Sequence, residues 1–441
     1  MDLTLSPAEQ GFRDELRARL ADHHPGREPA GDEAAFELRR GSPSWPASER
    51  GASQRRHTRP GCLYNPSKLC TATVRTVSSG HADPLRVAIL GAAGTIAPAI
   101  VHDLAESPEV GEMILLDLDG ERAAAVAERH GAGRATARAA DARSGLASEL
   151  TDADVLVNTA SYRINLDAMR ACLVAGCTYL DLGGLYWLTK QQLELSGEFE
   201  RAGLLALLGI GSSPGKTNLM ARRALRECNG DRPDAIDVYA AGRDPHAAGR
   251  FSPPYAVQTL VDELTLAPVV LRDGAPVEIA ALEPGGAMDF GEPIGVADTI
   301  YTLHSELATF GESFGTRESS FRLSLTPALL ERLRALVGAA PERIAAAARE
   351  ATAPSDATTS VHLVIVRAGS RTVSVRAESP PHFGIGGSIV STAAPAAAAV
   401  RLLARGELTA TGAMPPERAI DSDTMFAELE TRGCRFSVSV D

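Results

Sequence analysis

One stretch limits the possible folds more than any other: LRVAILGAAGTIAPAIVHDLAES, residues 85–107. Its apolar run RVAIL reads as a short strand buried on both faces. Gly91, Gly94 and Ala97 follow in a GxxGxxA register, and PAIVHDLAES continues as a helix. Small residues at those positions permit a tight turn, close backbone approach to a pyrophosphate and close helix packing. The helix start adds unpaired amides for the anion. Such a turn also occurs in loops of no consequence, so its surroundings decide its meaning.

The surroundings support a dinucleotide site. EMILLD (112–117) is a second strand that closes on Asp117, about where a ribose-binding acid belongs. A carboxylate there accepts from the ribose hydroxyls and repels a 2′-phosphate, which favours NAD, with NADP possible because Arg122 and Arg134 are near in sequence. A strand near 134–140 ending at Asp141 follows, then ADVLVNTA (153–160), the helix NLDAMRACLVAGC (165–177), TYLDLGG (178–184) and LLALLGIG (204–211). Six strands alternating with helices make a doubly wound α/β sheet of the Rossmann type. Ligands of such sheets lie beyond the carboxyl ends of the strands. The expected cofactor contacts are therefore Gly91, Ala93, Gly94, Thr95, Ile96 and Asp117, with Asp141 near the adenine and Asn158, Thr159 and Ala160 near the nicotinamide ribose.

Charge narrows the partners. Forty-four basic residues against 56 acidic ones give a net charge of −12, so no basic field attracts nucleic acid or an anionic membrane. A small-molecule substrate fits better. The six cysteines form no disulfide framework and no zinc spacing, so no metal is expected. No apolar run is read as a membrane span and no secretory signal is evident, which predicts a cytoplasmic protein. Residues 1–40 carry a helical pattern with Phe12, Leu16 and Leu20 on one face, and they resemble a truncated acyl-CoA dehydrogenase N-terminus. That likeness stops before any flavin or acyl-CoA site. Residues 41–84, rich in Pro, Ser, Gly and Arg, read as a disordered linker.

GIGSSPGKTN (209–218) invites comparison with a phosphate loop, but Ile210 stands where GxxxxGK[ST] needs its first glycine. It reads as a substrate-side turn after the sixth strand. Between 231 and 380 the pattern changes to alternating strands, among them AIDVYAA, PVVLRDGAPVEIA, SSFRLSL and the hairpin SVHLVIVRAGSRTVSVRAE, interrupted by helices at 327–337 and 341–351. SIVSTAAPAAAAVRLLARG (388–406) is an Ala-rich helix suited to close packing.

Taken together, the fingerprint, VNTA, GCTYLDLGG, PGKTN, PYAVQTLVDELT (254–265), FGEPIG (290–295), TLHSELATF (302–310) and GAMPPERAI (412–420) resemble the saccharopine dehydrogenase-like oxidoreductases, in the branch with lysine 6-dehydrogenase and carboxynorspermidine dehydrogenase. The resemblance spans about 85–435. It implies a Rossmann domain at 85–215, an inserted α+β substrate and dimerisation domain at 216–384, a return to the first domain at 385–441, and a homodimer. It also implies an enzyme that oxidises or forms the C–N bond of an amino acid or polyamine with NAD(P). Two alternatives stay open: a homospermidine-synthase-like transferase that recycles its NAD, and a non-catalytic dinucleotide sensor.

Hydride transfer at such a carbon needs position, a proton acceptor and binding for charged substrate ends. His304 and Glu306 stand at alternate positions, the spacing of a proton shuttle and its tuning carboxylate. Glu306, Asp262 or Glu263 could hold an amine, and Tyr255 could donate a hydrogen bond. For a substrate carboxylate, Pro214, Gly215, Lys216 and Asn218 supply a helix start with one ammonium, and Arg163 is a rival clamp. The family pattern commonly has an apolar residue where Lys216 stands.

Overall fold

Parallel pairing organises the first half of the chain. The computed structural model describes residues 83–247 and 249–441; the expected N-terminal helix, and all but the last two residues of the expected linker, lie outside them. Six strands follow one another with helices between: β1 (Leu85–Leu90), β2 (Val110–Asp117), β3 (Ala135–Ala139), β4 (Val155–Asn158), β5 (Thr178–Asp181) and β6 (Leu205–Leu207). They lie in the order β6-β5-β4-β1-β2-β3, every neighbour parallel. The chain reverses direction across the sheet between β1 and β4, the switch point where a crevice opens beyond the strand ends. Alternation within each strand feeds two layers: Val87 and Ile89 join one buried cluster, Ala88 and Leu90 the other.

A second, mixed sheet takes the middle of the chain: β7 (Ala235–Arg243), β8 (Val269–Arg272), β9 (Ala275–Glu278), β10 (Pro284–Asp289), β11 (Val296–Tyr301), β12 (Glu318–Ser324), β13 (Thr359–Ala368) and β14 (Arg371–Ser379). β7 pairs in parallel with β12 and antiparallel with β13, and β13 forms a hairpin with β14 around Gly369, whose φ is 56°. The last two strands return one to each sheet. β15 (Gly412–Met414) pairs with β6, and β16 (Arg435–Val440) with β14. The parallel sheet thus has seven strands where six were expected; β15 is 3 residues long and shows no periodicity of its own.

Helix Gly387–Ala404 carries the Ala-rich run and lies against helix Ala97–Ala105, with Ala393 and Ala396 to Ala399 buried in the same cluster as Ile100 and Leu104. Among the described residues it is long and apolar enough to cross a membrane, a run the sequence reading does not anticipate, yet 78% of that window is buried inside the fold. Its Arg401 is buried and donates to Asp103 at 2.8 Å and to Glu428 at 2.8 Å. An ion pair so enclosed resists loss of either partner, because the survivor would be a bare buried charge.

Candidate active site

The turn after β1 is shaped by what a side chain would hit. Gly91 has φ +81°, and a Cβ there would lie 2.6 Å from Ala160 N and 2.7 Å from its Cα. Only glycine lets the ends of β1 and β4 come this close. Ile96 caps helix Ala97–Ala105 without a side-chain hydrogen bond, and Gly94 and Thr95 are exposed beside it. The helix start therefore keeps its anion-binding capacity. Asp117 spends both carboxylate oxygens on backbone: Ala93 N–H donates to Oδ2 at 2.9 Å and Asp119 N–H to Oδ1 at 2.9 Å. A cavity of about 620 Å³ opens here, lined by Gly94, Thr95, Pro98, Arg122, Arg129 and His130. Arg122 also donates to Ala93 O at 3.0 Å. The glycine cradle, the uncapped helix start and this cavity suit a dinucleotide.

The other expected cofactor contacts are placed differently. Asn158 is fully buried: its amide donates to Asn165 Oδ1 (2.9 Å) and Tyr179 Oη (3.2 Å), and its Oδ1 accepts from Ala160 N–H (3.1 Å). It holds Ala160 against Gly91 from behind. Thr159 bonds back to Leu90 O through both N–H and hydroxyl, each at 2.8 Å. Asp141 is exposed and accepts from Arg143 N–H at 2.9 Å within its own turn. Behind the same wall Asp181 is buried, and desolvation raises its pKa even though Gln192, Gly209, Tyr179 and Gly183 all donate to it.

Past β5 and β6, at the carboxyl edge of the parallel sheet, four titratable side chains converge. His304 lies between β11 and helix Leu307–Phe314, two residues before Glu306; its Nδ1 is 2.7 Å from Glu306 Oε2 and its Nε2 is 4.0 Å from Glu263 Oε1. Glu263 comes from helix Val257–Thr265, and Tyr255, just before that helix, donates to its Oε2 at 2.5 Å. The remaining oxygen of Glu306 accepts from Ser213 (2.6 Å) and Thr217 (2.9 Å), and Ser305 Oγ accepts from Gly184 N–H (3.2 Å). These last contacts fasten the His304 segment to the turns after β5 and β6. The imidazole stacks on Phe321 of β12, ring centroids 3.5 Å apart and planes 16° off parallel.

Burial sets the proton affinities, and neighbours correct them. Desolvation pulls His304 down, but Glu306, with Glu263 behind it, holds its pKa above the ordinary value. Glu306 would be raised by burial, yet His304 and the Ser213 hydroxyl leave it below the usual carboxylate range. Glu263 is pushed by burial up to about 7, against the pull of His304 and Tyr255. The cluster thus holds one firmly ionised pair and one carboxyl poised to exchange a proton near neutrality.

The turn around GIGSSPGKTN is closed on itself. Gly211 N–H donates to Pro214 O (2.9 Å), Lys216 N–H to Gly211 O (2.9 Å) and Thr217 N–H to Ser212 O (3.2 Å). Gly215 N–H donates to Asn218 Oδ1 (2.8 Å), and Asn218 in turn donates to Glu417 (2.8 Å). Pro214 packs against Gly183 and Gly209, where a Cβ would come within 2.9 and 2.7 Å of its Cγ. Lys216 is buried with Nζ 3.1 Å from Ser379 Oγ and 2.7 Å from Ser391 Oγ, and burial lowers its pKa. It does not join the four-residue cluster. Arg163 pairs with Asp262, which also accepts from Tyr162 at 2.8 Å. Ser213, Thr217 and Phe321 were not singled out from sequence; the first two sit in the very turn that was, at i and i+4.

Comparison with known proteins agrees with this picture. Residues 87–207 match the family described as saccharopine dehydrogenase NADP binding domain. Over 272 residues the chain is 27% identical to carboxyaminopropylagmatine dehydrogenase of Synechocystis sp., covering 59% of this chain and 67% of the relative. The solved apo saccharopine dehydrogenase (L-Glu forming) of Saccharomyces cerevisiae matches with a TM-score of 0.61 at 16% identity, over 81% of this chain and 100% of that one; at this identity the likeness bears on the fold.

Proposed function

This chain is a saccharopine dehydrogenase-like NAD(P) oxidoreductase, and from that premise we propose that it oxidises or forms the C–N bond of a small amine, an amino acid or polyamine-type substrate. The observation that carries the reading is the buried His304, Glu306, Glu263 and Tyr255 cluster at the carboxyl edge of the parallel sheet. Two carboxylates in an enclosed site attract an ammonium, and the fixed one, Glu306, keeps the imidazole oriented. With Nδ1 committed to Glu306, Nε2 of His304 is the nitrogen that faces Glu263, so a substrate nitrogen beside that gap meets an imidazolium that can give a proton on one side and a carboxyl that can take one on the other. Tyr255 holds Glu263 in position. The N–H groups of Thr95 and Ile96 would hold the dinucleotide phosphates, with Gly91 and Gly94 permitting the close approach. When bound, the nicotinamide supplies the hydride acceptor or donor. The Synechocystis relative, named for a carboxyaminopropylagmatine substrate, supports an amine.

A second reading concerns which dinucleotide is used. The carboxylate of Asp117 is engaged by backbone, while Arg122 and Arg129 line the cavity, two fixed cations suited to a 2′-phosphate. We therefore include NADP(H) on an equal footing with NAD(H). A homodimer also belongs to this proposal, to be read by light scattering.

The test follows cofactor absorbance with lysine, ornithine, diamines and their aldehydes, then repeats it with His304→Ala and Glu306→Ala. Net turnover that falls by roughly 10²–10⁴-fold in both variants supports the reading. Amine consumption with no net cofactor change would turn it toward aminoalkyl transfer. Tight dinucleotide binding with no reaction across the panel would leave a sensor.

A further inference from the structure

His362 sits in the middle of β13, 4% exposed, and its Nδ1 is sealed from water with no hydrogen-bond partner. An unmatched buried polar atom of this kind costs stability. A strand of a stable sheet has no use for one, since Val or Leu would fill the position better. Its place in the sheet suggests why it is kept. The register puts Leu323, Ala240, His362 and Ala377 side by side on neighbouring strands, and Phe321, Val238, Val364 and Val375 one pleat further along. Phe321 is the ring on which His304 rests. The two histidines therefore stand over the same sheet face, and the residues flanking His362 on both sides are alanines, too small to cover it and unable to bond it.

The charges around it are sorted. Glu263, Glu306 and Tyr255 gather about His304. Lys216 acts on His362, and among the described residues it forms no ion pair with a carboxylate; its ammonium has only the hydroxyls of Ser379 and Ser391. Burial, then Lys216, then His304 push the His362 imidazole well below its ordinary pKa, so it is neutral, with one N–H and one lone pair. A buried unpaired lone pair is tolerated better than a buried unpaired N–H. That assigns the lone pair to Nδ1 and the proton to Nε2, the nitrogen not sealed in this way.

We infer that His362 is a substrate-contacting residue whose Nε2–H donates to a carboxylate oxygen of the substrate, so that the enzyme selects carboxylated amines over plain diamines. This rests on the amine-oxidoreductase reading above. The ammonium end of the substrate lies at the glutamate side and its carboxylate at the His362 side. The site then matches a zwitterion, and the unmatched imidazole gains its partner only when substrate is bound.

The experiment compares His362→Ala and His362→Asn with the unaltered chain, using lysine against 1,5-diaminopentane and ornithine against 1,4-diaminobutane. A hydrogen bond to a charged group predicts that His362→Ala raises KM for the amino acids by roughly 10–100-fold. KM for the diamines should move less than about 2-fold, kcat should hold, and His362→Asn should restore part of the amino-acid affinity. Dinucleotide Kd and melting temperature should be unchanged or the latter raised. In the unaltered chain, the His362 ring nitrogens should shift in NMR on adding amino acid and not on adding diamine. Equal KM increases for both classes, or a silent ring, would overturn the inference while leaving amine turnover intact. If the unaltered chain neither binds nor turns over any amine, the functional reading falls first and this one with it.

Discussion

Two glycine-rich strand-to-helix turns lie on the same edge of the parallel sheet, and they differ in what they leave unbonded where the helix begins. After β1, Gly91 and Gly94 lead into a helix whose start has no side-chain cap, next to a cavity of about 620 Å³. After β6, the amides of Gly211, Gly215, Lys216 and Thr217 are all spent inside the turn, and Lys216, Thr217 and Asn218 are buried. In the first, Gly91, Ala92, Ala93 and Gly94 also spend their amides, on Leu116 O, Asp117 Oδ2 and Gly91 O, but the N–H groups of Thr95 and Ile96 at the helix start have no such partner among the described residues; the second is a clasp that fixes Ser213 and Thr217 under Glu306. A glycine-rich turn before a helix becomes a phosphate site only when its N–H groups have nothing better to bond.

The sharpest way to break this comparison is Gly215→Ala. At φ +119°, with a Cβ 2.4 Å from both N and O of Gly211, the clasp cannot admit a methyl group. Urea unfolding should show a loss of at least ~3 kcal/mol, or no folded protein. Gly94→Ala, whose Cβ would meet only Gly91 O at 3.0 Å, should keep most of the stability and weaken dinucleotide binding instead. Equal stability losses at both positions would erase the distinction.

His304→Ala comes next in size, with kcat down by roughly 10²–10⁴-fold and dinucleotide Kd unchanged by calorimetry. Glu263→Gln should act through pH. The carboxyl that titrates at about 7 in the fold titrates near 4.5 when unfolded, so the folded state holds the extra proton between those values. Stability should therefore decline as pH rises from about 4.5 to about 7, by a few kcal/mol at most. Glu263→Gln should flatten that decline and remove the limb near pH 7 from kcat/KM. Thermal melting across pH and the rate profile read the two effects separately. Smallest is Arg122→Ala: it should raise the Kd of NADP(H) about tenfold and that of NAD(H) less than twofold. An equal change for both would place Arg122 outside any 2′-phosphate site.

Much of the first sheet was legible because its signals are local. RVAIL, the glycine register and Asp117 at a strand end need only neighbours in sequence, and each appears where the pattern puts it. The spacing of His304 and Glu306 was also local, and the two side chains do meet. What was not legible depended on chain segments far apart. Ser213 reaches Glu306 across 93 residues, and no property of GIGSSPGKTN announces that its hydroxyls will face a carboxylate. Lys216 looked like an anion ligand because a lysine at a helix start usually is solvated; only packing shows it enclosed beside two serines. His362 was hidden in SVHLVIV, where a lone histidine among β-branched residues reads as core. β15 was too short to see, and β10, PGGAMD, lacks alternation because it is largely exposed.

The most direct measurement mixes the 441-residue chain with NAD+ or NADP+ and a panel of amino acids and polyamines, and records reduced-cofactor absorbance beside the His304→Ala variant. The account predicts amine-dependent reduction that the variant loses almost entirely. Saturable dinucleotide binding with no reduction by any amine, or reduction that survives intact without His304, would contradict it.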